Sequence, residues 1–136
     1  MRGLSRWAAN SLALNSRPIS VPRAGLLACG DDLLGGVFLT LSALGGEPLR
    51  DALWEALAPE LDLLTAGISG AHLAAAAGGL GAASVHEALA AIMSGDQAML
   101  PGHLNIMRGI GHSSGFDTLA GIVLTLEAAL AAEILE

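Results

Sequence analysis

Lysine and tyrosine are both missing, and a single cysteine, Cys29, stands alone in 136 residues. Six arginines are the only strong bases against thirteen acids, which leaves a formal charge of -7. Such a field repels a phosphate backbone, so nucleic acid is not an expected partner. One cysteine cannot close an internal disulfide, which rules out a disulfide scaffold and suits a reducing compartment, so the cytoplasm is the expected location. Aromatic residues make up only 3% and charged residues 14%. No stretch alternates apolar and polar residues with the period of two that a half-buried strand needs. What is there is alanine, leucine and 18 glycines, in a chain that is 53% hydrophobic with a mean hydropathy of +0.61. These residues pack helices closely and build few strands. The expected fold is therefore all-α, a compact bundle of about five to six helices joined by short Gly- and Pro-containing loops.

Three apolar stretches invite a membrane reading, and none makes a good span. Residues 33–44 are too short, residues 63–83 contain His72 and five glycines, and residues 118–135 carry Glu127 and Glu133. The excess apolar surface is read instead as helix packing plus a subunit interface, a homo-oligomer included. Residues 1–24 differ in composition, with Arg2, Arg6, Arg17 and Arg23 and no acid. They are expected to be a basic, poorly ordered leader before a single helical domain over 25–136.

Gly and Pro punctuate the remainder into helices. The first is predicted to start at Asp31-Asp32, to turn Leu33, Leu34, Val37, Phe38, Leu41 and Leu44 inward, and to stop at Gly45-Gly46. A second amphipathic region runs from Glu47 to about Leu64 and is interrupted at Pro59. An alanine-rich helix follows Ser69-Gly70. Ser84 and Glu87 have capping-box spacing for a helix through Met93, and Asp96 is placed to cap a helix bent or broken near Pro101-Gly102. In the last helix Leu119, Ile122, Val123, Leu126 and Leu130 form one stripe that must face the core or a partner. No fixed-period repeat is evident, although two glycine-containing turns each feed a glycine-containing apolar helix.

Those two turns carry more polar chemistry than packing requires. At Gly30-Asp31-Asp32 one Asp suits a helix N-terminus, whose free N-H groups and dipole favour a carboxylate; two adjacent acids invite a further role. They can hold a cation or accept hydrogen bonds from a carbamoyl NH2 group, and one can serve as a general base. At Gly111-His112-Ser113-Ser114-Gly115-Phe116-Asp117, glycines, hydroxyls and a helix start make an anion cradle for phosphate or carboxylate. His112 is placed to donate to that anion or move a proton. The plainer reading is that Ser114 and Asp117 only cap the helix. His72, His86 and His103 are read as structural or solvated. No His or Cys spacing makes a metal site, and no phosphate loop or dinucleotide fingerprint names a cofactor, which stays unknown.

The blocks Gly25-Leu26-Leu27-Ala28-Cys29-Gly30-Asp31-Asp32 and Gly111-His112-Ser113-Ser114-Gly115-Phe116-Asp117 resemble, in this order, the two motifs of the AllH-type subunit of bacterial oxamate carbamoyltransferase. The similarity covers about residues 20–131. It departs where that family has Thr-Pro-Ser and this chain has Leu27-Ala28-Cys29. The resemblance implies a multi-subunit enzyme of purine and allantoin breakdown that interconverts oxalurate plus phosphate with oxamate plus carbamoyl phosphate. It also implies longer relatives with an upstream half. The ligand would be a small carboxylate, carbamoyl or phosphate compound, and the partners would be other subunits of the complex. Asp31, Asp32, His112 and Asp117 are the expected catalytic residues, with Gly30, Gly111, Ser113, Ser114 and Gly115 binding substrate. The competing expectation is a noncatalytic helical interaction subunit or a truncated inactive homologue.

Overall fold

A computed structural model describes residues 29–61, 67–111 and 113–135. The expected leader over 1–24 lies outside these residues, and so does His112. The described chain contains no strand. Its helices are α1 (Cys29–Ala43), α2 (Glu47–Leu57) with a following 3-10 turn (Ala58–Glu60), α3 (Gly67–Ala77), α4 (Ala83–Ser94), α5 (Leu100–Arg108) and α6 (Ser114–Leu135). The all-helical expectation holds.

Local chemistry explains most boundaries. Gly45, Gly79 and Gly95 take φ of 71°, 81° and 69°, a region that only glycine enters cheaply. There each turns the chain so that the next amide donates back into its helix: Gly46 to Leu41, Leu80 to Ala75 and Asp96 to Ala91. α1 begins at Cys29, earlier than its acids suggested, which puts Asp31 and Asp32 in its first turn. The capping box at Ser84 is not made. Ala82, extended at φ -60° and ψ 140°, is the N-cap, and Ser84 already lies inside the first turn. Pro101 does not bend a helix either. It sits in the first turn of α5, where its missing N-H removes no bond, while Asp96 Oδ1 accepts from the Met99 amide at 3.2 Å.

The core gathers Phe38 and Leu39 of α1, Leu57 of α2, Leu73, Ala76 and Ala77 of α3, Val85, Ala88 and Leu89 of α4, Met107 of α5 and Ile122 of α6. At its centre α1 and α6 cross backbone to backbone. A Cβ on Gly36 would overlap the Thr118 carbonyl, and one on Gly121 would overlap the Leu33 carbonyl, so neither position admits a side chain without moving the partner helix. Thr40 and Thr125 then turn their hydroxyls onto their own helices, donating to the Gly36 and Gly121 carbonyls at 2.7 and 2.8 Å.

This reciprocity exposes a repeat that a search for fixed periods misses. Gly30-x-Asp32-x-Leu34-x-Gly36-x-x-Leu39-Thr40-Leu41 recurs as Gly115-x-Asp117-x-Leu119-x-Gly121-x-x-Leu124-Thr125-Leu126. Leu33 and Val37, which face Gly121, correspond in the repeat to Thr118 and Ile122, which face Gly36. The copies are thus related by an approximate two-fold, run in the same sense and bring both N-terminal turns to one end. The crossing also corrects the expected stripe of α6. After Gly115, the buried positions are Gly121, Ile122, Thr125 and Ala129, with Leu119 and Leu126 packed alongside, whereas Val123 and Leu130 point outward. Close approach selects small residues and expels the larger ones to the far side.

Candidate functional site

The two N-terminal turns meet. Ser114 Oγ, at the first residue of α6, donates to Asp32 Oδ2 at 2.5 Å, in the first turn of α1. The hydroxyl expected as a helix cap therefore reaches across to the other helix. Thr118, one turn further along, donates to the Ser114 carbonyl at 2.9 Å. Beside this junction a cavity of about 400 Å³ opens between α1, α3 and α6. Asp31, Asp32 and Gly35 line it from α1, Ser69 and His72 from α3, Ser114 and Thr118 from α6, and Leu39, Leu73, Leu80 and Val85 form its apolar floor. Its volume falls in the range that holds a small organic ligand.

Of the residues singled out in the sequence, Asp31, Asp32 and Ser114 come together on this wall. Gly30, Gly111, Ser113, Gly115 and Asp117 are not among its lining residues. Gly115 has a packing task, since a Cβ there would overlap the Met107 carbonyl of α5. Gly111, at φ 58°, makes the turn into α6. Two of the first amides of α6 are already occupied, Gly115 by the Ile110 carbonyl at 3.2 Å and Asp117 by the Ser113 carbonyl at 2.9 Å, which reduces what that terminus offers an anion. Asp117 has a buried Oδ2 with no hydrogen-bond partner among the described residues. In the repeat Asp117 matches Asp32, and Cys29 stands where the second copy has Ser114.

His72 and Ser69 are the residues the sequence reading passed over. His72 has no spacing partner in sequence, and only the packing of α3 on α1, with Ala76 against Gly35, sets it along the same cavity as the acids. Its neighbour in the cavity, Ser69, marks a helix start in the sequence and belongs to a stretch, Ile68-Ser69, that shares in the family resemblance without an assigned role. Among the described residues no group of three His, Cys, Asp or Glu side chains is placed to hold a metal ion.

The wall combines two carboxylates, which accept hydrogen bonds, with an imidazole and hydroxyls. Such a set is chemically able to accept hydrogen bonds from a group that carries N-H donors. A family model described as oxamate carbamoyltransferase subunit AllH matches residues 24–126. The chain belongs to the AllH family. No curated protein and no solved structure matches this AllH chain. Both turns that build the cavity's polar wall lie inside the matched span. As an AllH subunit, the chain belongs with the other subunits of such a complex.

Proposed function

We propose that the cavity between α1, α3 and α6 binds the carbamoyl-bearing substrate of an oxamate carbamoyltransferase, and that Asp31 and Asp32 accept hydrogen bonds from its NH2 group. The observation that carries this reading is the Ser114–Asp32 bond at the cavity wall. It spends the Ser114 proton on the carboxylate, so Ser114 orients Asp32 and does not donate to an anion at the same time. The carbamoyl end then faces the acids. The carboxylate end of oxalurate, or the incoming phosphate, faces Ser69 and His72.

In the reaction a phosphate oxygen attacks the carbamoyl carbon, the bond from that carbon to the oxamate nitrogen breaks, and the proton leaving hydrogen phosphate ends on that nitrogen. His72 is the side chain in the cavity suited to relay this proton. Orientation of the ureido plane by the two acids is the other contribution. His112, outside the described residues, and Asp117 remain sequence-derived candidates for the same chemistry. A soluble substrate set of this kind accords with a cytoplasmic enzyme.

The test is phosphate-dependent formation of carbamoyl phosphate from oxalurate by the protein combined with the other subunits of such a complex. Asp32→Asn and His72→Ala are each expected to lower kcat by about a hundredfold. Activity indifferent to both would take this cavity out of the chemistry and favour the noncatalytic subunit, a reading the bare apolar face of α6 supports.

A further inference from the structure

The repeat allows each surface of α6 to be compared with its counterpart on α1. On α1 the outer positions are Asp31, Gly35, Phe38, Leu39 and Ser42; on α6 they are Phe116, Ala120, Val123, Leu124 and Glu127. Of the first set, Gly35 meets α3, Phe38 and Ser42 meet α2, and Asp31 lines the cavity. Ala76 of α3 lies 4.0 Å from where a Cβ of Gly35 would stand. The Trp54 ring meets Phe38 edge to face with centroids 6.2 Å apart, and Arg50 Nη1 donates to Ser42 Oγ at 2.9 Å. Phe38 and Leu39 are accordingly 0% and 5% exposed, whereas Val123 and Leu124 are 40% and 54% exposed and Phe116 is 51% exposed. Leu130 extends the same bare stripe.

We propose that this outer face of α6 is the docking surface for a helical element of a different protein chain, which covers it as α2 and α3 cover α1. The element carries small and aromatic apolar side chains and a basic group opposite Glu127. Charge sets that last requirement. Glu127 occupies the position of Ser42, whose partner is the Arg50 guanidinium, and a carboxylate there needs a cation more than a hydroxyl does. A second copy of this chain meets the requirement badly. A two-fold pairing through this face would put both Glu127 carboxylates in one interface, where like charges are penalised, and an unlike pairing between copies gives open chains unless its rotation closes. A contiguous apolar stripe of this kind is what a subunit interface presents before assembly. The inference is independent of any chemistry in the cavity.

The full chain, co-expressed with the other subunits of an oxamate carbamoyltransferase, would carry a photo-crosslinking amino acid at position 124 or, as a control, at exposed position 55 on α2. A cross-link to one of those subunits is expected from position 124 and not from 55. Leu124→Lys should lower co-purification of that subunit by about tenfold and Glu127→Lys by severalfold, with helical circular dichroism unchanged. Asp32→Asn should leave the recovery intact whatever it does to turnover, which separates this proposal from the catalytic one. Cross-links that join two copies of this chain would overturn the proposal. So would recovery indifferent to Leu124→Lys, the absence of any subunit cross-link from 124, or Leu124-dependent binding to phosphatidylglycerol vesicles.

Discussion

One sequence pattern is laid down twice in this molecule, and its two copies have met different fates. In α1 the pattern lies under α2 and α3, and its polar end opens into a cavity. In α6 the inner face is buried just as deeply against α1, while the outer face stays bare. The backbone crossing therefore depends on what the copies share, Gly36 with Thr40 and Gly121 with Thr125. Burial of the outer face depends on what the chain supplies elsewhere, namely Trp54, Arg50 and Ala76. A helix pattern specifies one seam and leaves the rest to its neighbours.

The sharpest way to break the comparison is to truncate matched outer positions. Phe38→Ala is expected to cost about 3 to 5 kcal/mol in urea unfolding, and Val123→Ala at the matching place less than about 0.5 kcal/mol. Equal losses would mean that the outer face of α6 is covered within the chain. At the shared seam the copies should behave alike. Gly36→Ala and Gly121→Ala are each expected to cost about 2 to 3 kcal/mol, because the added methyl meets backbone and not a movable side chain. Removing the link between the two polar ends is a smaller change. Ser114→Ala should lower stability by about 1.5 kcal/mol, and Asp32→Asn should weaken the effect of that substitution in a double-mutant cycle. Smallest is a control away from both copies. Gly102→Ala, in the first turn of α5 with open space around it, should raise stability by about 0.5 to 1 kcal/mol.

Much of this was legible in the residues. The low aromatic content and the Gly punctuation pointed to helices, and Asp31, Asp32 and Ser114 stood out because acids and hydroxyls at glycine turns exceed what packing needs. Their convergence was not legible, since it depends on a crossing between segments far apart in the chain. His72 was passed over for the same reason. A lone histidine in an alanine-rich helix has no local signature, and only the docking of that helix on Gly35 gives it neighbours. The capping box at Ser84 and the bend at Pro101 failed differently: local rules named real boundary residues but put them a position or two out of register with the helix start. The stripe expected on α6 divides, with Leu119, Ile122 and Leu126 inward and Val123 and Leu130 outward, because contact between two backbones rewards the absence of size. The repeat lay in plain view as Gly-x-Asp-x-Leu-x-Gly and escaped notice, because the residues between its copies share nothing with one another.

The mutual overlap at Gly36 and Gly121 leaves the two rods no slack at their pivot. Ser114 ties Asp32 to the other rod about a turn from that point. Whatever settles on the outside of the long rod therefore sits one helix width from the lip of the chamber on its other side.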